Sequence, residues 1–349
     1  MVEVNSFARL SPAFGFFIFL NVLGVAITAH SGGLLGVYIG LECSLLGMVG
    51  ILVGESAEEN EGCMKYFIFQ ALGSIYLLMG FILIIEPVVP LMGAFWIVIV
   101  GVCLKAGFFP FHYWVPSVVV RVSWFSCFII MVWQKIGLMC FLAKWSISYE
   151  LVRIVEVLAV LTAIFGGIGG IGVVFYKATL AYSSLVHGGW LLVAALIGVG
   201  CVLYYIVIYG LIVGSLMYRL YTTKVSSFED FSNAPYHGSH GLFAIFADLM
   251  SLAGVPVLPG FLAKFMVLVM AGPSYPLTVY FLILSSMLSL YYYMKIAVVA
   301  SVGAGVNHYL THKWGKLKLL WKIKMYLLLN FLFYAGGLMA LMTFVAVVQ

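Results

Sequence analysis

Apolar residues run along this chain in blocks of bilayer-spanning length, separated by short polar punctuation. A membrane helix needs about 20 such residues. On that measure about eleven segments are expected, at 12–30, 33–53, 64–85, 91–109, 124–144, 152–174, 178–198, 201–220, 242–270, 276–300 and 325–347. The longest polar connections are 221–241, with Phe228-Glu229-Asp230, and 301–324, with Lys313, Lys316, Lys318, Lys322 and Lys324. The pattern predicts an all-α polytopic membrane protein in a single integral domain, 1–349. Its core spans about 33–300, followed by a lysine-rich loop at 301–324 and a final helix at about 325–347. The first run, from Pro12 to Thr28, follows a nearly neutral tip (Glu3, Arg9) and lacks the marks of a cleavable leader, so it is expected to stay as the first helix.

Two of these segments are interrupted. The fourth runs into Lys105-Ala106-Gly107-Phe108-Phe109-Pro110-Phe111-His112-Tyr113-Trp114-Val115-Pro116, where two prolines disrupt a regular ladder. The ninth contains Gly254-Val255-Pro256-Val257-Leu258-Pro259-Gly260, with Lys264 four residues on. A break frees backbone groups that lipid cannot satisfy, so it is tolerated only inside protein or around a wet cavity. Paired broken helices also mark transporter binding sites. The plainer reading, a proline kink that shapes packing, is weakened by the lysine beside each break.

Composition agrees with the pattern: 64% of residues are hydrophobic and 8% charged, against about 25% charged in a soluble domain. The net charge of +5 follows from topology and calls for no nucleic-acid partner. Threading the segments alternately gathers Arg121, Lys177, Arg219, Lys224 and the 313–324 lysines on one side, leaving little beyond Lys144 and Arg153 on the other. The positive-inside rule then puts the N-terminus in the cytoplasm or a mitochondrial matrix and the C-terminus outside. The six cysteines form no CxxC or other cluster, which argues against a zinc or iron–sulfur site.

Four ionisable residues fall inside apolar spans: Glu42, Lys105, Lys135 and Lys264. Each charge at the bilayer centre costs roughly 2.5–3.5 kcal/mol on insertion scales. Taking an ammonium out of water favours its neutral form, so a buried lysine can trade protons. A carboxyl beside a movable lysine becomes a switchable proton site. The plainer alternatives are a protonated Glu42 donating one interhelical hydrogen bond and a Lys105 that reaches the interface. His187 and His112 are secondary candidates. Asp248, just before the second break, is expected to pair with a lysine or cap locally, and Lys295 to snorkel at a span end. His237/His240 and His308/His312 have metal-compatible spacing but no third ligand nearby in sequence. The run Gly166-Gly167-Ile168-Gly169-Gly170-Ile171-Gly172 lies in an apolar span without a strand before it, so close helix packing explains it better than a dinucleotide loop.

Several stretches carry a family likeness: Gly40-Leu41-Glu42, Lys65-Tyr66-Phe67 with Gln70-Ala71-Leu72, Pro110-Phe111-His112-Tyr113-Trp114-Val115-Pro116 and Trp133-Gln134-Lys135. Leu180-Ala181-Tyr182-Ser183-Ser184 through His187 and Trp190, and Gly254-Val255-Pro256 through Gly260-Phe261-Leu262-Ala263-Lys264, follow in order. The chain resembles the chain 2 family of the proton-pumping NADH–ubiquinone oxidoreductase, respiratory complex I. That resemblance implies an antiporter-like fold with two discontinuous helices, shortened by three N-terminal helices as in animal mitochondria. It also implies a mitochondrial inner-membrane location. It implies a proton relay in which Glu42 and Lys105 form an ion pair that opens and closes, Lys135 passes the proton and Lys264 ends the line. Ala263, where a proline is usual, and Asp248 depart from the family pattern. No cofactor is expected in this chain: NADH, FMN, iron–sulfur clusters and ubiquinone would be bound by other subunits. The implied partners are membrane lipids and the other membrane-arm subunits, including antiporter-like chain 4 and the small chain 4L. Two other readings share the same residues, a subunit of a cation/proton antiporter and a purely structural membrane-arm subunit.

Overall fold

The computed structural model describes residues 12–86, 90–145, 149–223, 227, 239–256 and 258–310. Among these the chain is helical throughout, apart from turns and one isolated bridge between Phe175 and Ser227. The helices are α1 (Pro12–His30), α2 (Leu34–Leu52), α3 (Ala57–Ile85), α4 (Leu91–Ala106), α5 (Trp114–Val119) and α6 (Trp124–Phe128). A π-helical turn, Ile129–Trp133, joins α6 to α7 (Gln134–Lys144). There follow α8 (Tyr149–Gly169), α9 (Tyr176–Ile197), α10 (Val199–Thr223), α11 (Ser239–Ala253), α12 (Pro259–Ala271) and α13 (Pro276–Leu310). Among the described residues eight helices are long and apolar enough to cross a membrane, with α6 to α7 taken as one, and three shorter apolar helices accompany them. The expected segment 325–347 lies outside the described residues.

Local chemistry explains where the boundaries depart from the apolar pattern. Helix α3 begins at Ala57, ahead of the segment expected at 64–85, because the Ser56 hydroxyl accepts from the Glu59 amide at 3.1 Å and Glu58 and Glu59 sit in the first turn. A hydroxyl cap and early acidic residues both satisfy the positive end of a helix. Helix α13 continues to Leu310, into the stretch expected as a loop, since 301–310 contains no proline to stop it. The ninth segment is two half-helices, α11 and α12, with Pro259 opening the second at its first position.

The interior centres on α9, of which 83% of the apolar window is buried within the chain, against 22% for α1. Helices α5, α7, α8, α10, α12 and α13 pack around it. Helices α1 and α2 meet backbone to backbone at the margin: a Cβ on Gly24 would lie 2.4 Å from the Ser44 amide nitrogen. Such small-residue contact is how membrane helices approach closely. The Asn21 side chain reinforces it by donating to the Ser44 carbonyl at 2.9 Å. The glycine run in α8 also packs closely, Gly166 on Leu185 and Gly169 on Tyr182. On one side of the bundle Arg121 pairs with Glu61 at 3.1 Å and Lys177 donates to the Val122 carbonyl at 2.8 Å. On the other, Lys144 donates to the Ala29 carbonyl.

Candidate functional site: a row of buried lysines

Helix α4 ends just after Lys105, where Gly107 turns left-handed with φ +70°. Only glycine takes that conformation without a Cβ penalty. The break frees the carbonyls of Leu104 and Lys105, and neutral side chains take both. Trp114 Nε1 donates to Leu104 at 3.1 Å and Gln70 Nε2 to Lys105 at 2.9 Å. The Lys105 amine is thereby left for Glu42, with Nζ 3.3 Å from Oε1. The lysine is enclosed by protein, its side chain 2% exposed. Glu42 is 32% exposed, its outer flank uncovered by the other helices of this chain. Helix α2 lies at the margin, with 44% of its apolar window buried, so depth along the span does not enclose the carboxylate.

Lys135 follows the π-helical turn and is buried. Such turns add a residue and redirect the side chains after them, and they recur at functional sites. Its amine donates to the Ser184 carbonyl in α9 at 2.6 Å. Gly188 lies beside it, where a Cβ would sit 3.7 Å from the amine and 2.7 Å from the Phe108 ring. A cavity of about 10 Å³ lies between Lys105 and Lys135, lined also by Tyr66, Gln70, Trp114 and Gln134. That is room for about one water.

His187, also on α9, lies within electrostatic reach of both Lys135 and Lys264. Its Nδ1 is 2.8 Å from the Tyr205 hydroxyl, and the Tyr209 ring packs on it with centroids 4.5 Å apart. Lys264, buried half-way along α12, reaches back across the second break to donate to the Ala253 carbonyl at 2.7 Å. Gly254, at φ +87°, makes that turn, and a Cβ there would lie 2.9 Å from the Lys264 side chain. The halves are pinned where the Gly260 amide donates to the Ser251 hydroxyl at 3.0 Å.

The remaining candidates stand apart. His112 is buried among Phe109, Tyr113 and Phe165 and does not line the cavity. Asp248 pairs with Arg219 of α10 at 2.9 Å. Lys295 is exposed. Among the described residues no group of histidine, cysteine and carboxylate side chains could hold a metal, and the side chains of both histidine pairs lie outside them. The sequence reading passed over Trp114 and Gln70 as carbonyl partners, and Tyr205 and Ser251 altogether. Their one mark in the sequence is a polar atom inside an apolar run.

Comparison with known proteins places this geometry. The family described as NADH:quinone oxidoreductase/Mrp antiporter, TM, matches residues 31–88 and 86–289. The chain belongs to this family. Its relatives include NADH-ubiquinone oxidoreductase chain 2 of Mytilus edulis, 32% identical over 78% of this chain and 82% of the relative. The same protein of Lumbricus terrestris is 27% identical over 82% of this chain and 87% of the relative. A chain of respiratory complex I from Thermus thermophilus shares the fold, with a TM-score of 0.76 at 21% identity, covering 93% of this chain and 78% of that one. The chain is thus an antiporter-like membrane subunit of the NADH-ubiquinone oxidoreductase kind.

Proposed function

We propose that the chain moves protons through the membrane arm of respiratory NADH:ubiquinone oxidoreductase, along Glu42, Lys105, Lys135, His187 and Lys264. The observation that carries the reading is the row of three buried amines, each held by a single acceptor it can leave: a carboxylate at Lys105 and backbone carbonyls at Lys135 and Lys264. Charge movement elsewhere in the complex weakens the Glu42–Lys105 attraction. Lys105 then yields a proton towards Lys135 through the water-sized cavity, and His187 links Lys135 to Lys264. Two unit charges about 4 Å apart interact by roughly 4 kcal/mol at an effective dielectric near 20, enough to drive such a step. Electron transfer, with NADH, FMN, iron–sulfur clusters and ubiquinone, belongs to other subunits. The chain sits in the mitochondrial inner membrane with its N-terminus in the matrix, beside chain 4 and the small chain 4L.

The test is Lys135→Met in the assembled complex. NADH oxidation should continue with fewer protons moved per electron, and an unchanged ratio would leave the chain a structural part. A cation/proton antiporter subunit is the second reading, favoured by the Mrp members of the same family. Purification of the intact assembly separates the two, since flavin and iron–sulfur absorbance accompany only the first.

A further inference from the structure

The proton line leaves Asp248 unused, although its side chain is 8% exposed in the middle of a helix bundle. Burial of a carboxylate without compensation is costly. Its partner is Arg219, whose Nε lies 2.9 Å from Oδ2, near the end of α10. Asp248 precedes Ala253 by five residues, about 7.5 Å along α11. Between them the ladder closes: Gly254 donates to Met250 and Ser251, and Val255 to Met250. The Ala253 carbonyl faces the break instead, and there it receives Lys264. A half-helix of 15 residues carrying that acceptor must be fixed in height and rotation for the contact to hold. Ser251 fixes it at the break through Gly260, and the ion pair fixes it to α10 further back. The same α10 holds His187 through Tyr205. One helix therefore sets both the histidine and the acceptor of Lys264.

We propose that Arg219 and Asp248 form a latch that positions the second broken helix, keeping the Ala253 carbonyl on the amine of Lys264. They are positioning residues, and the inference rests on the proton-line reading. Truncating one partner of a buried pair leaves the other charge uncompensated, whereas a reversed pair does not. In the assembled complex Asp248→Ala should lose the same share of protons per electron as Lys264→Met, and the two changes together should lose no more. The reversed pair, Arg219→Glu with Asp248→Lys, should recover what Asp248→Ala loses. If Asp248→Ala fails to assemble, the reversed pair decides: recovery of both assembly and the parent ratio supports the latch. Assembly at a ratio matching Lys264→Met overturns it. A parent ratio in Asp248→Ala, with Lys264→Met lowered, removes the latch and leaves the proton line standing. A parent ratio in Lys264→Met removes the proton line itself.

Discussion

The two broken helices solve one problem in opposite ways. At the first break the freed carbonyls of Leu104 and Lys105 are taken by Trp114 and Gln70, so the lysine amine is spare and turns to a carboxylate. At the second the freed carbonyl of Ala253 is taken by the lysine itself. Lys105 sits at the end of its helix, where the backbone dipole favours a cation. Lys264 sits half-way along α12, beyond the reach of either end of its own helix, and its amine takes the C-terminal end of α11 instead. The first lysine is free to respond to a distant charge. The second is part of the wall that holds its own helix together.

The hardest test of that contrast is steric. A Cβ at Gly260 would lie 1.8 Å from the Ser251 carbonyl oxygen, a backbone atom with nowhere to go. Gly260→Ala should force the halves of the second break apart, beyond the roughly 1–3 kcal/mol of ordinary overpacking. The amount of assembled complex should collapse. At the first break, a Cβ on Gly73 would meet Lys105 Cγ, the root of the side chain, at 2.6 Å and backbone atoms only at 3.3 Å, a milder clash that moves the lysine with its helix. Gly73→Ala should assemble, displace the lysine and lower the proton ratio. Equal loss of complex in both would erase the distinction.

Methionine at each lysine is the next largest effect. Lys264→Met strands the Ala253 carbonyl, a buried acceptor whose loss of partner costs about 1–3 kcal/mol. Both the proton ratio and the thermal stability of the purified complex should fall. Lys105→Met leaves Trp114 and Gln70 on their carbonyls, so the ratio should fall while the first break keeps its backbone contacts.

These effects show how unevenly the sequence discloses the site. A lysine inside an apolar run is costly, so Lys105, Lys135 and Lys264 stood out, as did the prolines and glycines of both breaks. The surroundings did not. Position along a span measures depth in the bilayer, but it says nothing of which flank stays uncovered, and Glu42 is half-open for that reason. Asp248 looked like a lysine's partner because the nearest charge in sequence is Lys264, while packing gave it Arg219 on the preceding helix. The π-helical turn before Lys135 is spelled Ile-Ile-Met-Val-Trp, which no local rule separates from ordinary helix.

A smaller change probes the first break from the other side. Gln70→Leu removes the donor to the Lys105 carbonyl at a cost of about 1 kcal/mol. The stranded carbonyl is the same kind of acceptor that Lys264 uses at the second break. The Lys105 amine should turn towards it and away from Glu42, which a structure of the variant would register as a lengthened Glu42–Lys105 distance. An unchanged 3.3 Å pair would mean that the carboxylate holds the lysine whatever the backbone needs.

Glu42→Gln carries the least thermodynamic weight and separates function from fold most cleanly. Among the described residues the carboxylate holds Lys105 and bridges no backbone groups. Assembly and thermal stability should therefore stay near the parent's. The amide keeps the carboxylate's shape and an oxygen acceptor, so Lys105 retains a hydrogen bond but loses its anion. If the anion sets when Lys105 yields its proton, the proton ratio falls while NADH oxidation continues, and Glu42→Asp restores part of it. No such dependence should exist at the second break, where the acceptor is a carbonyl that cannot change its charge. A Glu42→Gln complex that pumps like its parent would make the two breaks equivalent after all, with carbonyl and carboxylate both serving only as anchors.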